Sequence, residues 1–304
     1  MSDSIGVIFI THRGKKHLPF CLPPILSSPL KPRVLVVNSS SGDGTVEMAQ
    51  SMGVETLLIP RYQFNHGTTR EYARHFLKSD IVVMMTPDAY PEDNRVLEKL
   101  VIPLLKREAS VSYARQIPHH GAGCLEAFSR AFNYPLHVEQ RTLADLGKLG
   151  VYTFFCSNAC AAYRNAALDE VGGFEPVLFG EDTVVVSKLL RKGHTLHYAA
   201  DALVRHSHAY TLWQEFKRHF DIGLSRKSYA HLLTGGGTDS KRGREYARQL
   251  LKQTKSPYAL FHLLAKWSGY QIGSHSSTAP DWWKKILSSQ DFYWVSEEYT
   301  RNKI

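Results

Sequence analysis

Between residues 5 and 86 the chain alternates short, almost wholly apolar runs with segments of helical periodicity. That alternation narrows the folds open to it more than any other feature. Ile5 to Thr11 (IGVIFIT) and Val34 to Asn38 (VLVVN) are apolar at successive positions rather than alternate ones, as strands covered on both faces must be. After the second run Asp43 is placed to cap a helix whose apolar positions Val46, Ala49 and Met52 share a face and whose end is marked by Gly53. Strand character returns from Leu57 to Pro60. Thr68-Thr69-Arg70-Glu71 then has capping-box spacing, which predicts a helix through Lys78 with Tyr72, Ala73, Phe76 and Leu77 on its inner side. Ile81 to Thr86 (IVVMMT) is the next strand. The pattern predicts an α/β fold, a Rossmann-like, mostly parallel sheet flanked by helices, with ligands beyond the carboxyl ends of the strands.

Polar clusters stand at those predicted ends: Thr11-His12-Arg13, Asn38-Ser39-Ser40-Ser41-Gly42-Asp43 and Thr86-Pro87-Asp88-Ala89. Converging, they would line one crevice. A Ser- and Gly-rich loop leading into a helix can turn backbone N–H groups toward a phosphate, although turns use the same residues for their own geometry. There is no Walker lysine motif and no GxGxxG loop. Further on, Gly180-Glu181-Asp182 precedes an apolar helical run through Val184, Val185, Leu189 and Leu190, and His206-Ser207-His208 follows a strand. A pair of acids at a helix start and two imidazoles after a strand are the parts of a metal-assisted group transfer. An acidic helix cap and solvated histidines, among 15 in the chain, are the alternatives.

A chain of 304 residues can hold one large α/β domain with an appendage. With 43% hydrophobic and 21% charged residues its composition is that of a soluble globular protein, and no apolar run approaches the roughly 20 residues of a membrane span. Asp3 precedes the first apolar run, which is short and ends in His-Arg, so neither a signal nor a transit peptide is expected and cytoplasmic residence is. Cys21, Cys124, Cys156 and Cys160 lack a zinc-type spacing and read as reduced, buried thiols.

The net charge of +9 attracts anions, whether nucleic acid, lipid head groups or phosphorylated substrates. Much of the basic excess follows residue 212, in Lys217, Arg218, Arg226, Lys227 and Lys241-Arg242-Gly243-Arg244. Thr211 to Gln214 forms a second capping box, opening a helix with Phe216, Phe220 and Leu224 at helical spacing. Gly235 to Ser240 has the composition of a flexible linker. Beyond it Tyr246, Leu250, Leu251, Leu260 to Leu264, Trp267 and Tyr270 recur at helical intervals. Trp282 and Trp283 beside Lys284 and Lys285 suit a membrane interface, a core or a homodimer contact.

The chain resembles family-2 glycosyltransferases of the GT-A fold, in particular the bacterial rhamnosyltransferases that build cell-surface polysaccharides. The resemblance rests on an ordered set of motifs. In chain order these are Phe64-Asn65-His66-Gly67 with Thr69-Arg70, Thr86-Pro87-Asp88-Ala89, Phe132-Asn133-Tyr134-Pro135, Thr142 to Leu146 and the Phe155 to Arg164 segment. Gly172-Gly173-Phe174, Gly180-Glu181-Asp182 and His206-Ser207-His208 with Tyr210-Thr211-Leu212 complete it. It implies a transferase domain over residues 1–228, with a nucleotide-sugar half to about 115 and an acceptor half from 116, and a helical appendage over 229–304.

The implied activity is inverting transfer of a sugar, foremost L-rhamnose from dTDP-L-rhamnose, to an oligosaccharide or polyprenyl-diphosphate-linked acceptor of O-antigen or capsule type. It would occur in the cytoplasm or peripherally at the cytoplasmic face of the inner membrane. A UDP-hexose donor and a catalytically impaired nucleotide or glycan binder are the alternatives; no nucleic-acid module is recognisable. By the resemblance Asp182 is the general base and Glu181 its orienting neighbour. Thr11, Arg13, Asn38, Ser40, Asn65, His66, Gly67, Arg70, Thr86 and Asp88 face the nucleotide sugar, and Ser157 and Asn158 the acceptor. A divalent cation, Mg2+ or Mn2+, is implied at Asp88 with His206 or His208. Two positions depart from the family pattern. Thr86 stands where relatives carry the first Asp of an Asp-x-Asp, and Asn38 where they carry an aspartate near the pyrimidine.

Overall fold

The computed structural model describes residues 3–233 and 239–301. Its strands are β1 (Ile5–Thr11), β2 (Arg33–Asn38), β3 (Glu55–Leu58), β4 (Ile81–Met85), β5 (Tyr90–Pro91), β6 (Val111–Ile117), β7 (Glu139–Arg141), β8 (Cys160–Arg164) and β9 (Leu196–Arg205). They form one sheet in the order β3-β2-β1-β4-β8-β6-β9-β5, with β7 also on β9. β1, β2, β3, β4, β6 and β9 run one way, and β5, β7 and β8 run against them. The carboxyl ends of β4, β6 and β9 and the amino end of β8 therefore lie along one edge of the sheet.

Strand alternation divides the core into two layers. Ile8, Ile10, Leu35, Val37, Val82 and Met84 point to one face and pack on Ala73 and Leu77 of the helix His66–Leu77 and on Val185, Val186 and Leu189 of the helix Glu181–Arg191. Val7, Phe9, Val34, Val36, Val83 and Met85 point to the other, against Leu18, Leu22 and Ile25 of Leu18–Leu26 and Leu97, Leu100 and Leu104 of Val96–Leu105. Both faces are covered, which is why these strands carry no polar alternation.

Four local expectations need correction. The helix expected from Thr68 starts at His66, because the Asn65 side chain accepts from Gly67 N at 2.8 Å and Thr68 N at 3.3 Å and caps it two residues earlier. Its inner face carries Thr69, Arg70, Ala73, Arg74 and Leu77, while Tyr72 and Phe76 are exposed. The arginines tolerate that face because each meets a carboxylate, Arg70 with Glu181 and Arg74 with Glu71 and Asp169. β3 begins at Glu55, ahead of Leu57. Cys124 is exposed, unlike the other three thiols.

The capping box at Thr211 is present and opens the helix Leu212–Ser228, with Phe220 and Leu224 buried. Against it lies Pro257–Ser274, and the two backbones meet through glycine. A Cβ on Gly269 would stand 2.3 Å from Phe216 O, and one on Gly273 2.0 Å from Phe220 O. Most of the expected linker, residues 235–238, lies outside the described residues; Asp239 already opens the helix Asp239–Thr254.

Candidate active site

A cleft of about 830 Å³ opens along that common edge of the sheet. Thr86 and Asp88, in the turn after β4, and His206 and His208, just past β9, enter it from parallel strands; Ser157 and Asn158 enter it ahead of the antiparallel β8. The starts of His66–Leu77 and Glu181–Arg191 contribute His66, Arg70, Glu181 and Asp182. Residues more than a hundred positions apart thus share one wall.

Asp88, His206 and His208 form the group suited to a cation, their ligand atoms all within 4.8 Å of one another. Asp88 Oδ2 lies 3.5 Å from Nε2 of each histidine, and the two Nε2 atoms are 3.1 Å apart. Burial opposes ionisation of Asp88, but the hydrogen bond and charge of His206, followed by His208, hold its carboxyl far below the usual range. Burial and the charge of His206 push His208 down to about 3, so its imidazole is neutral and can act as a ligand. Gln116, at the end of β6, sets the other imidazole. Arg130 Nη1 donates to Gln116 Oε1 at 2.8 Å and Gln116 Nε2 donates to Ser157 Oγ at 2.8 Å, which fixes the amide orientation. His206 Nδ1, 2.8 Å from the same Oε1, must then donate, which turns Nε2 toward Asp88. One carboxylate and two imidazoles whose Nε2 atoms converge on one point fit a divalent cation, which would take the place of the proton they now share.

The acid pair divides into unlike halves. Burial would raise Glu181, but Arg70, whose Nη1 is 3.0 Å from Oε1, and then His66 hold it low and ionised. Asn158 Nδ2 donates to the same carboxylate at 3.0 Å, while Tyr163 Oη donates to Asn158 Oδ1 at 2.8 Å. Asp182 accepts from Asn158 N at 3.2 Å and Thr183 N at 2.7 Å. Burial, and after it the charge of Glu181, push Asp182 up to about 7. Neighbouring carboxylates held apart in this way separate a structural charge from a proton acceptor.

The remaining candidates lie outside the cleft lining. Asn38 is fully buried, its amide donating to Thr11 Oγ1 at 3.2 Å and Ser41 Oγ at 2.9 Å and accepting from Ser41 N. Thr11 Oγ1 in turn donates to Val37 O. Arg13 and Ser40 sit at positive φ, Ser40 Oγ donating to Ile59 O. Asp43 organises this loop: burial would raise it, but hydroxyls of Thr45 and Ser41 and the Lys15 N–H hold it at about 2. Asn65 is occupied as a cap. Gly67 is a packing position, where a Cβ would stand 1.7 Å from Glu175 O. Of the acceptor-side pair, Ser157 faces the cleft within the Gln116 network, whereas Asn158 holds both acids.

Residues 21–221 match the family model described as glycosyltransferase like family 2. The chain belongs to glycosyltransferase family 2. The O-antigen chain rhamnosyltransferase WbaN of Salmonella anatum is 32% identical over 279 residues, 89% of either chain. RfbN of Salmonella typhimurium, of the same description, is 31% identical over 98% of either chain. Among solved structures, the mannosyltransferase PcManGT from Pyrobaculum calidifontis, in complex with GDP-Man and Mn2+, superposes with a TM-score of 0.60 at 15% identity, covering 100% of this chain and 89% of that one. S. aureus TarS 1-349 with UDP-GlcNAc gives 0.57 at 14% identity, covering 98% and 92%. These likenesses establish the GT-A fold.

For this glycosyltransferase, Gln116 and Arg130 are cleft positions, bonded to each other and, through Gln116, to His206, that motif reading missed. Gln116 left no sequence signal, since Ser112 and Arg115 make β6 polar elsewhere too; it is 2% exposed. Arg218, Arg226 and Lys266 also line the cleft, although in the sequence they are indistinguishable from solvated helix charges.

Proposed function

We propose that this chain is an inverting rhamnosyltransferase that uses dTDP-L-rhamnose to extend an oligosaccharide or polyprenyl-diphosphate-linked acceptor of O-antigen type. The observation that carries the reading is the meeting, in one cleft, of Asp182, whose carboxyl is raised above the usual range by burial, with the Asp88–His206–His208 group. The rhamnosyl donor is supported by the two Salmonella relatives, aligned over nearly the whole chain.

The acceptor hydroxyl gives its proton to Asp182 as its oxygen bonds the anomeric carbon, and the bond from that carbon to the diphosphate breaks on the opposite face. A single displacement inverts the anomeric centre. A divalent cation, Mg2+ or Mn2+, held by Asp88, His206 and His208, would offset the charge gathering on the diphosphate. Arg70 and Asn158 keep Glu181 ionised and still, and so set the position and proton affinity of Asp182. The nucleoside end of the donor is assigned to the loops carrying Thr11, Arg13, Asn38 and Ser40. They adjoin the Thr86–Asp88 turn, a Cβ on Gly14 lying 3.6 Å from Pro87 Cβ. Asn65 and Gly67 serve by setting the start of the helix that presents His66 and Arg70. The cytoplasmic face of the inner membrane, where donor and lipid-linked acceptor meet, is the assigned location.

Asp182→Asn tests the mechanism. Transfer from dTDP-L-rhamnose falls by about 10²–10⁴-fold while calorimetry still detects the donor. Retained transfer removes Asp182 as the base, retention in the product excludes the single displacement, and faster turnover with a UDP-hexose replaces the donor.

A further inference from the structure

The helix Pro257–Ser274 has two apolar sides, and only one of them is used. Ala259, His262, Gly269 and Gly273 face inward, where Gly269 and Gly273 meet the backbone of Leu212–Ser228. On the opposite arc stand Leu260, Phe261, Leu264 and Trp267, exposed by 57%, 56%, 55% and 61%. At 100° per residue these four fall within about a third of the helix circumference. No charged residue interrupts them; Lys266 lies on the inward side, 4.0 Å from Glu215. A helix apolar on both sides ordinarily lies in a core, and a naked contiguous apolar face marks an interaction site.

We propose that this outer face is a docking surface for an anionic lipid bilayer, entered to interfacial depth. Charge selects that occupant. Exposed Lys252 and Lys255 precede the helix, and Lys284 and Lys285 follow it, with Lys284 Nζ donating to Ser277 O at 2.9 Å and so tied to its carboxyl end. Exposed Trp282 and Ile286 belong to that same following helix, Asp281–Leu287. A ridge of Leu, Phe and Trp with lysines at both ends matches acyl chains beneath anionic head groups. A second copy would instead bring like-charged ends together on a chain of net charge +9. Insertion stays interfacial because no helix among the described residues is long and apolar enough to cross a membrane. The inward side of the same helix supplies Tyr258, Ala259, His262 and Lys266 to the cleft. Docking would therefore hold the cleft about one helix diameter, roughly 10–12 Å, from the bilayer, within reach of the diphosphate of a lipid-linked acceptor. That consequence rests on the function proposed above; the docking itself does not.

The test is flotation of the full chain, without donor or acceptor, on vesicles of phosphatidylethanolamine with phosphatidylglycerol and on vesicles of phosphatidylcholine alone. Binding to the anionic vesicles, weakened by salt and at least tenfold weaker for Leu264→Ser/Trp267→Ser, is the expected result. The variant should melt like the parent and transfer to a soluble acceptor at the parental rate, which separates a failed docking surface from a failed catalytic reading. The proposal is overturned if the parent does not float with anionic vesicles, or if the variant floats equally well. Sedimentation showing a parental dimer that the variant dissolves would overturn it too, by making the face a contact between copies.

Discussion

Asp182 and Glu181 are adjacent in sequence and opposite in chemistry, a difference set by Arg70. With Asp182 raised to about 7, its basic form grows as pH rises through neutrality. The pH profile of kcat should therefore climb about tenfold per unit below about 7 and level above it, and Asp182→Asn should abolish that limb. The same shift acts on stability with the opposite sense. The folded state holds a proton that the unfolded carboxyl has released, so this group's contribution falls as pH rises from about 4 to 7. Gln116 acts one bond further from the chemistry, by making His206 Nδ1 the donor. Gln116→Leu should raise the cation concentration needed for half-maximal activity about 10–100-fold, with an unchanged far-ultraviolet spectrum. Parental metal dependence would show that the imidazole is oriented without it.

Capping and close packing govern the elements. The Asn65 cap starts its helix early enough to bring His66 and Arg70 to the cleft, and Gly67 lets that start sit against Glu175 O. Where Leu212–Ser228 meets Pro257–Ser274, any side chain at Gly273 would overlap Phe220 O. Gly273→Val should push the helices apart and lower stability by about 1–3 kcal/mol, read as a lower urea midpoint with Leu212–Ser228 most exposed to hydrogen exchange. An unchanged midpoint would mean that the helices slide past each other without cost.

For the whole molecule, sheet direction decides function. The antiparallel β8 enters between β4 and β6, and so returns Ser157 and Asn158 to the edge where β4 and β9 end. Binding at that edge should stabilise the entire fold. With dTDP-L-rhamnose and Mn2+ at about 100 times the dissociation constant, unfolding should require roughly 2.7 kcal/mol more. The gain in melting temperature should shrink in Asp88→Ala and persist in Asp182→Asn. Equal shifts in both would place the cation elsewhere.

The doubly covered strands, their alternation with helices, the capping box at Thr211 and the family motifs are local or ordered along the chain. The α/β class was therefore legible in the sequence alone, and so were Asp88, His206, His208, Glu181 and Asp182 as residues that could meet in one cleft. It misplaced the start of the His66–Leu77 helix because Asn65 outcompeted Thr68 as cap, and it misread the inner face of that helix because Arg70 and Arg74 are tolerated there through Glu181 and Asp169, each more than ninety residues away. Only the tertiary structure decided that Asn38 donates to Thr11, that Gln116 orients His206, and that Arg70 pairs with Glu181 and not with Asp182. Each of these depends on distance in space and on solvent exclusion, which no spacing in the chain encodes.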